Sequence, residues 1–212
     1  MQNIYIEVIY ILFKDYNETN IVYHVVTITD LEDTLKYGIR YNDKNTYESK
    51  YYKFHNFIDA RKAKHVPEWV VRTKAVFASM NFKQKHIWHA HSALLGIRIQ
   101  EDLCWICNEN IANFLYEPLM LQEVPSFDLA KKFINKNGNK IAEDYWNCSL
   151  SFKDNLMLRL DKKAGYDAEV LVLHDILPKD IELLHIASDH KCMEVDKWRE
   201  MFQSNDLDYT NC

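Results

Sequence analysis

A carboxylate, an imidazole and an aromatic ring occur in three short, largely apolar segments of this 212-residue chain. Glu169 is the second residue of the segment AEVLV, His24 lies in a β-branched run, and Phe77 lies in the segment VFAS. A carboxylate inside an apolar strand is costly to bury without a partner. We therefore expect Glu169 to lie where its strand enters a pocket, with the other two segments as candidates for the same site.

Two further clusters have spacings that suit metal ligands. His89 and His91 are two residues apart, with His86 close by, and on a strand this spacing points two imidazoles to one face. No carboxylate follows at the spacing of a zinc-protease helix. Cys104 and Cys107 form a CxxC without a second pair, which favours a buried strand over a zinc site. We assign no metal ligand and keep a metal-dependent nuclease or hydrolase at the histidine cluster as an alternative.

Composition predicts a folded intracellular protein without a strongly basic surface. The chain is 48% hydrophobic with a formal net charge of −5, whereas proteins that bind duplex nucleic acid usually carry a basic surface. The number of cysteines, five, is odd. The apolar run at 4–13 contains Glu7, lacks a basic start and a cleavage site, and is too short to span a bilayer. We therefore expect a cytoplasmic protein with reduced thiols and no membrane association.

Hydrophobic patterning predicts an α+β fold in a single domain over residues 1–212. Apolar, β-branched runs predict strands at 4–13, 21–26, 75–78, 92–99, 103–107, 168–174 and 181–186. Helical spacing predicts a helix from about Leu31 that stops at Gly38, helices at 57–64, 110–115, 127–134 (closed near Gly138) and 140–160, and one after Asp189, with a long polar loop at 41–56.

The three segments with chemical side chains resemble, in order, those of the diphtheria-toxin-like branch of the ADP-ribosyltransferase superfamily. YHVVTITDLEDTLKYGI, at 23–39, resembles its opening of a strand ending in Tyr-His, a helix and a glycine. VFAS resembles the second signature, and DAEVLVLHDILPKDIELLHI, at 167–186, resembles the third, in which a catalytic glutamate begins a strand. The opening is most similar to DNA thymidine ADP-ribosyltransferases of the DarT type, and the third segment also resembles poly(ADP-ribose) polymerases.

This resemblance implies an ADP-ribosyltransferase-like split β-sheet core flanked by helices, which grips NAD as a substrate in a cleft between two small sheets. It implies that Glu169 is catalytic, stabilising an oxocarbenium-like transition state and acting as a base toward the nucleophile. His24 would hydrogen-bond the adenosine-side ribose, and Phe77 would stack on nicotinamide. Tyr23 and Ser79 would complete the cofactor-binding set.

The resemblance also implies an arginine ahead of the second signature that acts on the substrate side. Arg61 is the first candidate for this catalytic role, and Arg72 is the second and is grouped with the NAD-binding residues. The chain departs from the family at Val26, where a hydroxyl residue is common and Thr27 follows instead. Phe77 also replaces the usual tyrosine. These departures motivate a second hypothesis, a catalytically inactive NAD- or ADP-ribose-binding module.

The implied reaction transfers ADP-ribose to a macromolecule, either a nucleic-acid base or a protein, and releases nicotinamide. Enzymes of the toxin or phage-conflict kind also imply an antitoxin or immunity partner. Single-stranded nucleic acid would require stacking aromatics and local positive charge. The segment 41–56 offers both, with Tyr41, Tyr47, Tyr51 and Tyr52 among Lys44, Lys50 and Lys53.

Overall fold

The computed structural model describes residues 13–41, 48–80, 91–188 and 192–203. Its strands form one antiparallel sheet, which together with the flanking helices confirms the predicted α+β class. The strands are β1 Val22–Thr27, β2 Val76–Ser79, β3 Ser92–Ile97, β4 Cys104–Asn108, β5 Leu150–Ser151, β6 Ala168–Val172, β7 Ile181–Ala187 and β8 Cys192–Glu194. Their order across the sheet is β5-β4-β6-β2-β1-β3-β7-β8.

The helices lie on both sides of this sheet. They are α1 Tyr16–Thr19, α2 Ile28–Tyr37, α3 Glu48–Asp59, α4 Glu109–Leu121, α5 Asp128–Phe133, α6 Asn139–Asn147, α7 Phe152–Leu158 and α8 Val195–Gln203. Within the ranges given above, none of them is long and apolar enough to cross a bilayer.

Alternation along the strands directs buried side chains to both faces, where they form two large clusters and a smaller third one around Tyr23. Trp105 and Leu171 point to the face covered by α3, α4 and α6, which we call the α4 face. Ile106 and Val170 belong to the opposite cluster, with Phe152 of α7. Since both faces are covered, the central strands read as continuous apolar runs, which is why the sequence predicted them.

The centre of the sheet is a seam between two four-stranded halves. Among the described residues, β1 pairs with β2 only through Tyr23 and Ser79, whereas β1 pairs with β3 at six positions. The chains of β1 and β2 separate beyond that pair. The predicted pair of separate small sheets is therefore corrected to one sheet with a fork at its middle.

Gly38 ends α2 as predicted, and the structure shows why glycine is needed there. Its φ is 81°, a conformation that side chains with a Cβ rarely adopt. An added Cβ would overlap the carbonyl oxygen of Ile176. The next residue, Ile39, forms an isolated antiparallel bridge with Ile176. Gly38 thus lets the chain leave α2 in close contact with the segment after β6.

The predicted polar loop at 41–56 is wrong over its second half, where the structure has α3. Phe54 and Ile58 are four residues apart, and both are buried in the cluster on the α4 face. The apolar residues of this helix lie among tyrosines, lysines and asparagine, so the helical period of hydrophobic residues is weak in the sequence. The predicted helix at 57–64 correspondingly ends at Asp59, and residues 42–47 lie outside the described residues.

The predicted helix at 140–160 is interrupted after Asn147. Ser149 is buried, where its hydroxyl accepts a hydrogen bond from Trp105 Nε1 at 2.9 Å and donates to the Trp146 carbonyl at 2.7 Å. These contacts turn the chain so that the short strand β5 can pair with β4 before α7 begins. Tertiary hydrogen bonding thus overrides a local preference for helix.

Gly138 does not close a helix, contrary to the sequence prediction. A π-helical turn, Ile134–Gly138, joins α5 to α6, and Gly138 has ordinary helical angles. An added Cβ at Gly138 would lie 2.9 Å from the ring of Phe57. The glycine therefore allows α3 to pack closely. The predicted strand at 4–13 lies outside the described residues except for Phe13, and the predicted C-terminal helix is α8.

Candidate functional site

Glu169 and Arg72 form a buried ion pair on the α4 face. The Arg72 guanidinium binds both carboxylate oxygens, Nη1 to Oε1 and Nη2 to Oε2, the latter at 2.9 Å. Arg72 is 3% exposed and Glu169 is 6% exposed. Two parallel charge-assisted hydrogen bonds of this kind fix both distance and orientation. The carboxylate predicted to border a pocket is thus held by an arginine that is distant in the sequence.

Tyr145 of α6 completes the ring of contacts around this pair. Its hydroxyl donates to Glu169 Oε1 at 2.8 Å and accepts from Arg72 Nη1. Beneath them lies Cys107, which is directly opposite Glu169 in the sheet. Burial raises the pKa of the Cys107 thiol, and the Glu169 charge raises it further. Cys107 is therefore a neutral, buried neighbour of the pair rather than a nucleophile.

The charge of Arg72 is stabilised by its partners despite complete burial. Burial lowers the pKa of its guanidinium, but the opposing charge of Glu169 and the hydrogen bonds outweigh this, so the net pKa is raised. Burial likewise raises the pKa of the Tyr145 hydroxyl well above its usual value. The site thus combines a permanent cation with a neutral phenol at one carboxylate.

The C-terminal half of α3 positions Arg72. The carboxylate of Asp59, the last residue of α3, accepts hydrogen bonds from the main-chain N–H groups of Arg72 at 2.8 Å and Thr73 at 2.9 Å. The Nε–H of Arg72 donates to Nδ1 of His55 at 3.0 Å. Because these contacts come from one helix, the position of α3 determines where the guanidinium points.

His24 lies in the fork between β1 and β2. Its Nδ1 is 2.6 Å from the carbonyl oxygen of Phe77 and must be the donor, since a carbonyl only accepts. This hydrogen bond joins the two halves of the sheet where their main chains have separated. In the neutral imidazole it also makes Nε2 the acceptor atom of the ring.

Phe77 connects the predicted histidine with the predicted glutamate. Its carbonyl accepts from His24, while its ring lies 4.7 Å from the guanidinium carbon of Arg72, which pairs with Glu169. Phe77 points to the α4 face, as does Glu169, because Phe77 pairs with Leu171 and Ser79 pairs with Glu169. The His55 ring also stacks on the Phe77 ring. Phe77 therefore links His24, through its main-chain carbonyl, with the Arg72–Glu169 pair, through its ring.

Ser79 and Tyr23 lie at the closed end of the fork. Ser79 is buried between Glu169 on one side and Tyr23 on the other. Tyr23 is 1% exposed, and its hydroxyl donates to the carbonyl of Lys14 at 2.9 Å. Its ring packs edge-on against Phe13, away from the fork. The structure thus brings Ser79 to the site and directs the Tyr23 side chain elsewhere.

Arg61 is not brought to Glu169. Its Nε–H donates to the Asn139 side chain, its Nη1 donates to the Phe57 carbonyl at 2.7 Å, and its guanidinium lies 3.5 Å from the Phe57 ring centroid. These contacts join the end of α3 to α6. Of the two arginines that the sequence suggested, the structure places Arg72 beside the carboxylate.

The positions where the chain departs from the family pattern lie at the outer end of β1. Val26 packs partly buried against the cluster opposite the α4 face. The hydroxyl of Thr27 is exposed and lies 2.7 Å from the hydroxyl of Thr29 at the start of α2. Thr27 is therefore engaged locally with the N-terminus of α2.

No group of three or more potential metal ligands occurs among the residues that the structure describes. His86 and His89 of the histidine cluster, and the aromatic Tyr47 of the predicted nucleic-acid platform, lie outside those residues. On α3, Tyr51 packs against Tyr116 with centroids 5.7 Å apart, whereas Tyr52 is 51% exposed. Only part of the predicted aromatic platform therefore faces solvent.

Scans of the chain against protein-family models, curated proteins and solved structures found no match. The sequence had suggested no role for His55 or Tyr145. Both are polar side chains in otherwise apolar helix faces, and a buried polar group needs a partner. That signal could have pointed to the site, but not to which charges it faces.

Proposed function

We propose that this chain is an NAD-dependent ADP-ribosyltransferase with a split-sheet fold of that superfamily. One observation carries the proposal: the two central strands of the sheet separate beside an arginine-held carboxylate. His24 and Phe77, on adjacent strands in the middle of an eight-stranded sheet, are only partly buried. Side chains on the central strands of a sheet are normally buried by packing. We expect a ligand to bind between these strands, where it would contact main-chain groups and lie beside Glu169.

The chemistry of the cluster suits cleavage of the bond between nicotinamide and ribose. This bond breaks through a cationic, oxocarbenium-like transition state, which a nearby carboxylate stabilises. Arg72 and Tyr145 fix the Glu169 carboxylate in one orientation. A carboxylate that is already oriented needs no reorganisation as positive charge develops on the sugar.

The residues of the fork would bind NAD on both sides of the bond between nicotinamide and ribose. As the family resemblance implies, His24 would hydrogen-bond the adenosine-side ribose, and its hydrogen bond to the Phe77 carbonyl orients the ring. The Phe77 ring would stack on nicotinamide. The acceptor of the ADP-ribose would be a macromolecule, either a protein or a nucleic-acid base, and an antitoxin partner belongs to the same proposal.

The test is release of nicotinamide from NAD, measured by chromatography in the presence of DNA, RNA or lysate protein. A single substitution of Glu169 leaves Arg72 buried without its counter-ion, which risks unfolding. The informative variant is therefore the double substitution Arg72→Met with Glu169→Leu, since apolar side chains of similar size often replace a buried ion pair at little cost. We expect the double variant to fold and to release no nicotinamide.

The Glu117→Gln variant, at an exposed position of α4, is the control for a lost carboxylate away from the site. It should release nicotinamide at the wild-type rate. A folded double variant with wild-type nicotinamide release would overturn the assignment of Glu169. Absence of release from the wild-type chain with every acceptor would overturn the proposed activity itself.

A second function is favoured by the contacts that Glu169 and Phe77 already make within the protein. Both oxygens of Glu169 are engaged within the protein, and the Phe77 ring is stacked with His55. This arrangement suits a module that binds NAD or ADP-ribose without cleaving it. Such a module would show a higher unfolding temperature with NAD, as a ligand of the native state stabilises it, and no product by mass spectrometry.

A further inference from the structure

A second carboxylate, Glu109, adjoins Glu169 at the end of β4. Cys107 pairs with Glu169 and Asn108 pairs with Ala168, and the Glu109 N–H donates to the Asp167 carbonyl at 2.9 Å. Residues two apart on a strand share a face, and diagonal neighbours on adjacent strands lie within about 7–8 Å. The main chain of Glu109 therefore lies diagonally across from Glu169, and the charges of Glu169, Arg72 and Asp167 act on the Glu109 carboxyl group.

The two carboxylates differ in how they are held. Glu169 receives hydrogen bonds on both oxygens from Arg72 and Tyr145. The Glu109 carboxyl, in contrast, makes no hydrogen bond or ion pair within the described residues, and it is only partly buried. One carboxylate is locked and ion-paired, and its neighbour retains its oxygen atoms for another partner.

The surroundings of Glu109 favour its protonated form. As the first residue of the 13-residue α4, it lies where a helix N-terminus favours a negative charge. Burial nevertheless raises the pKa of Glu109 to about 7, helped by the charges of Glu169 and Asp167 and opposed by that of Arg72. A pKa raised to near neutrality suits a carboxyl group that takes up and releases a proton.

We propose that Glu109 is the general base that removes the proton from the acceptor, while Glu169 stabilises the sugar cation. This inference rests on the proposed ADP-ribosyl transfer. In that step the bond between ribose C1′ and the nicotinamide nitrogen breaks, and its electron pair leaves with nicotinamide. The acceptor heteroatom forms the new bond to C1′ with its lone pair, its proton passes to the Glu109 carboxylate, and the proton then moves to water.

The division of roles follows from the hydrogen bonds. A base must offer a lone pair within about 2.6–3.2 Å of the proton that it takes. The lone pairs of Glu169 are largely directed at Arg72 and Tyr145, and protonation of Glu169 would leave the Arg72 charge uncompensated. No cation among the described residues forms an ion pair with Glu109, so it can gain and lose a proton without disrupting the Arg72–Glu169 pair.

The charges that set the pH range of this base come from three elements. β6 contributes Glu169, the turn before β6 contributes Asp167, and the 3₁₀ turn after α3 contributes Arg72. The neutral groups next to the Arg72–Glu169 pair are the Tyr145 phenol and the Cys107 thiol. A base whose pKa lies near the working pH is the most effective for proton transfer.

The experiment compares wild type with Glu109→Gln in the transfer of labelled ADP-ribose between pH 5.5 and 8.5. For the wild type, we expect the transfer rate to rise tenfold with each pH unit below about pH 7 and to level off above it. The reason is that only the ionised carboxylate accepts a proton. Glu109→Gln should lower the plateau rate by ~10²–10⁴-fold and abolish that rise, with NAD affinity unchanged.

The matched control is Glu117→Gln on the same helix, which should keep the wild-type rate and pH profile. If Glu109→Gln fails to fold, Glu109→Asp takes its place, and it should keep the rise at a lower rate. A wild-type profile and rate in the folded Glu109 variant would overturn the role of Glu109 alone. If the wild-type chain itself releases no nicotinamide, the proposed function fails instead, so the two failures are distinct.

Discussion

The imidazole of His55 lies nearly parallel to the ring of Phe77, with 4.8 Å between their centroids and 15° between their planes. His55 belongs to α3, and Phe77 belongs to the strand at the centre of the sheet. An aromatic ring can stack on one partner at a time on a given face. Bound nicotinamide and α3 would therefore compete for Phe77 if both use the same face.

Removing the competing ring should favour the ligand. Aromatic stacking contributes ~0.5–1.5 kcal/mol, so we expect His55→Ala to bind NAD about two- to tenfold more tightly in calorimetric titrations. Loss of the hydrogen bond to Arg72 Nε should lower stability by about 1 kcal/mol. His65→Ala, at an exposed histidine beyond α3, is the control. Equal or weaker NAD affinity in His55→Ala would contradict the competition.

The Arg72–Glu169 pair should be costly to break and inexpensive to replace. We expect Arg72→Ala to lower the free energy of unfolding by ~3–5 kcal/mol, because the Glu169 carboxylate stays buried without its cation. The double variant Arg72→Met with Glu169→Leu should lose less than half of that. Urea unfolding of the three proteins measures both values. A double variant as unstable as Arg72→Ala would mean that the charges themselves hold the fold.

Stability should decrease with rising pH because of Glu109. Its pKa rises from the ordinary 4.5 to about 7 on folding, so between these values the unfolded chain has released a proton that the folded chain retains. Rising pH then favours the unfolded state by up to roughly 3 kcal/mol, at 1.36 kcal/mol per pKa unit. We expect Glu109→Gln to match wild type near pH 4.5 and to be more stable above pH 7, by calorimetry. Identical curves would contradict this.

Two glycines with positive φ make a matched pair. Gly38 and Gly165 have φ of 81° and 74°, but only Gly38 has backbone atoms within reach of an added Cβ. Gly165→Ala should therefore cost about 1 kcal/mol from backbone strain alone. We expect Gly38→Ala to cost clearly more and to weaken the Ile39–Ile176 bridge, as seen by thermal unfolding and amide exchange. Equal costs would show that the contact with Ile176 relaxes freely.

The two arginines should respond differently to substitution. Arg61 makes partly exposed contacts with Phe57 and Asn139, so Arg61→Ala should leave nicotinamide release near the wild-type rate. Arg72→Lys should reduce release at least tenfold, since an ammonium group cannot form two parallel hydrogen bonds with a carboxylate. Release assays on the two folded variants decide between them. The reverse outcome would move the substrate-side arginine back to Arg61.

The strands around the candidate site could be predicted from the sequence, because strands buried on both faces leave continuous apolar runs. The segment AEVLV became β6 with Glu169 in it, and VFAS became β2. The ion partner of Glu169 could not be predicted in the same way. Arg72 lies 97 residues away, and it is one of 26 lysines and arginines. Only the pairing of distant strands and the position of α3 single it out.

The helices were less predictable where tertiary contacts decide them. α3 begins in a polar segment whose few apolar residues carry the helical period, so its packing against Tyr116 and the α4 face is visible only in the fold. Residues 148–151 interrupt a helix because Ser149 finds partners in Trp105 and Trp146. In both cases, contacts with distant segments outweigh the local preference.

The seam at Tyr23 and Ser79 has a consequence for local stability. In most sheets the middle strands hold their amide protons longest, since opening them requires the whole sheet to unfold. Within the part of the chain that the structure describes, one strand residue pair and the His24 hydrogen bond connect the two halves here. The slowest-exchanging amides should therefore form two separate islands, within β4–β6 and within β1–β3, and the amides facing the fork between them should exchange as fast as those of an outer edge.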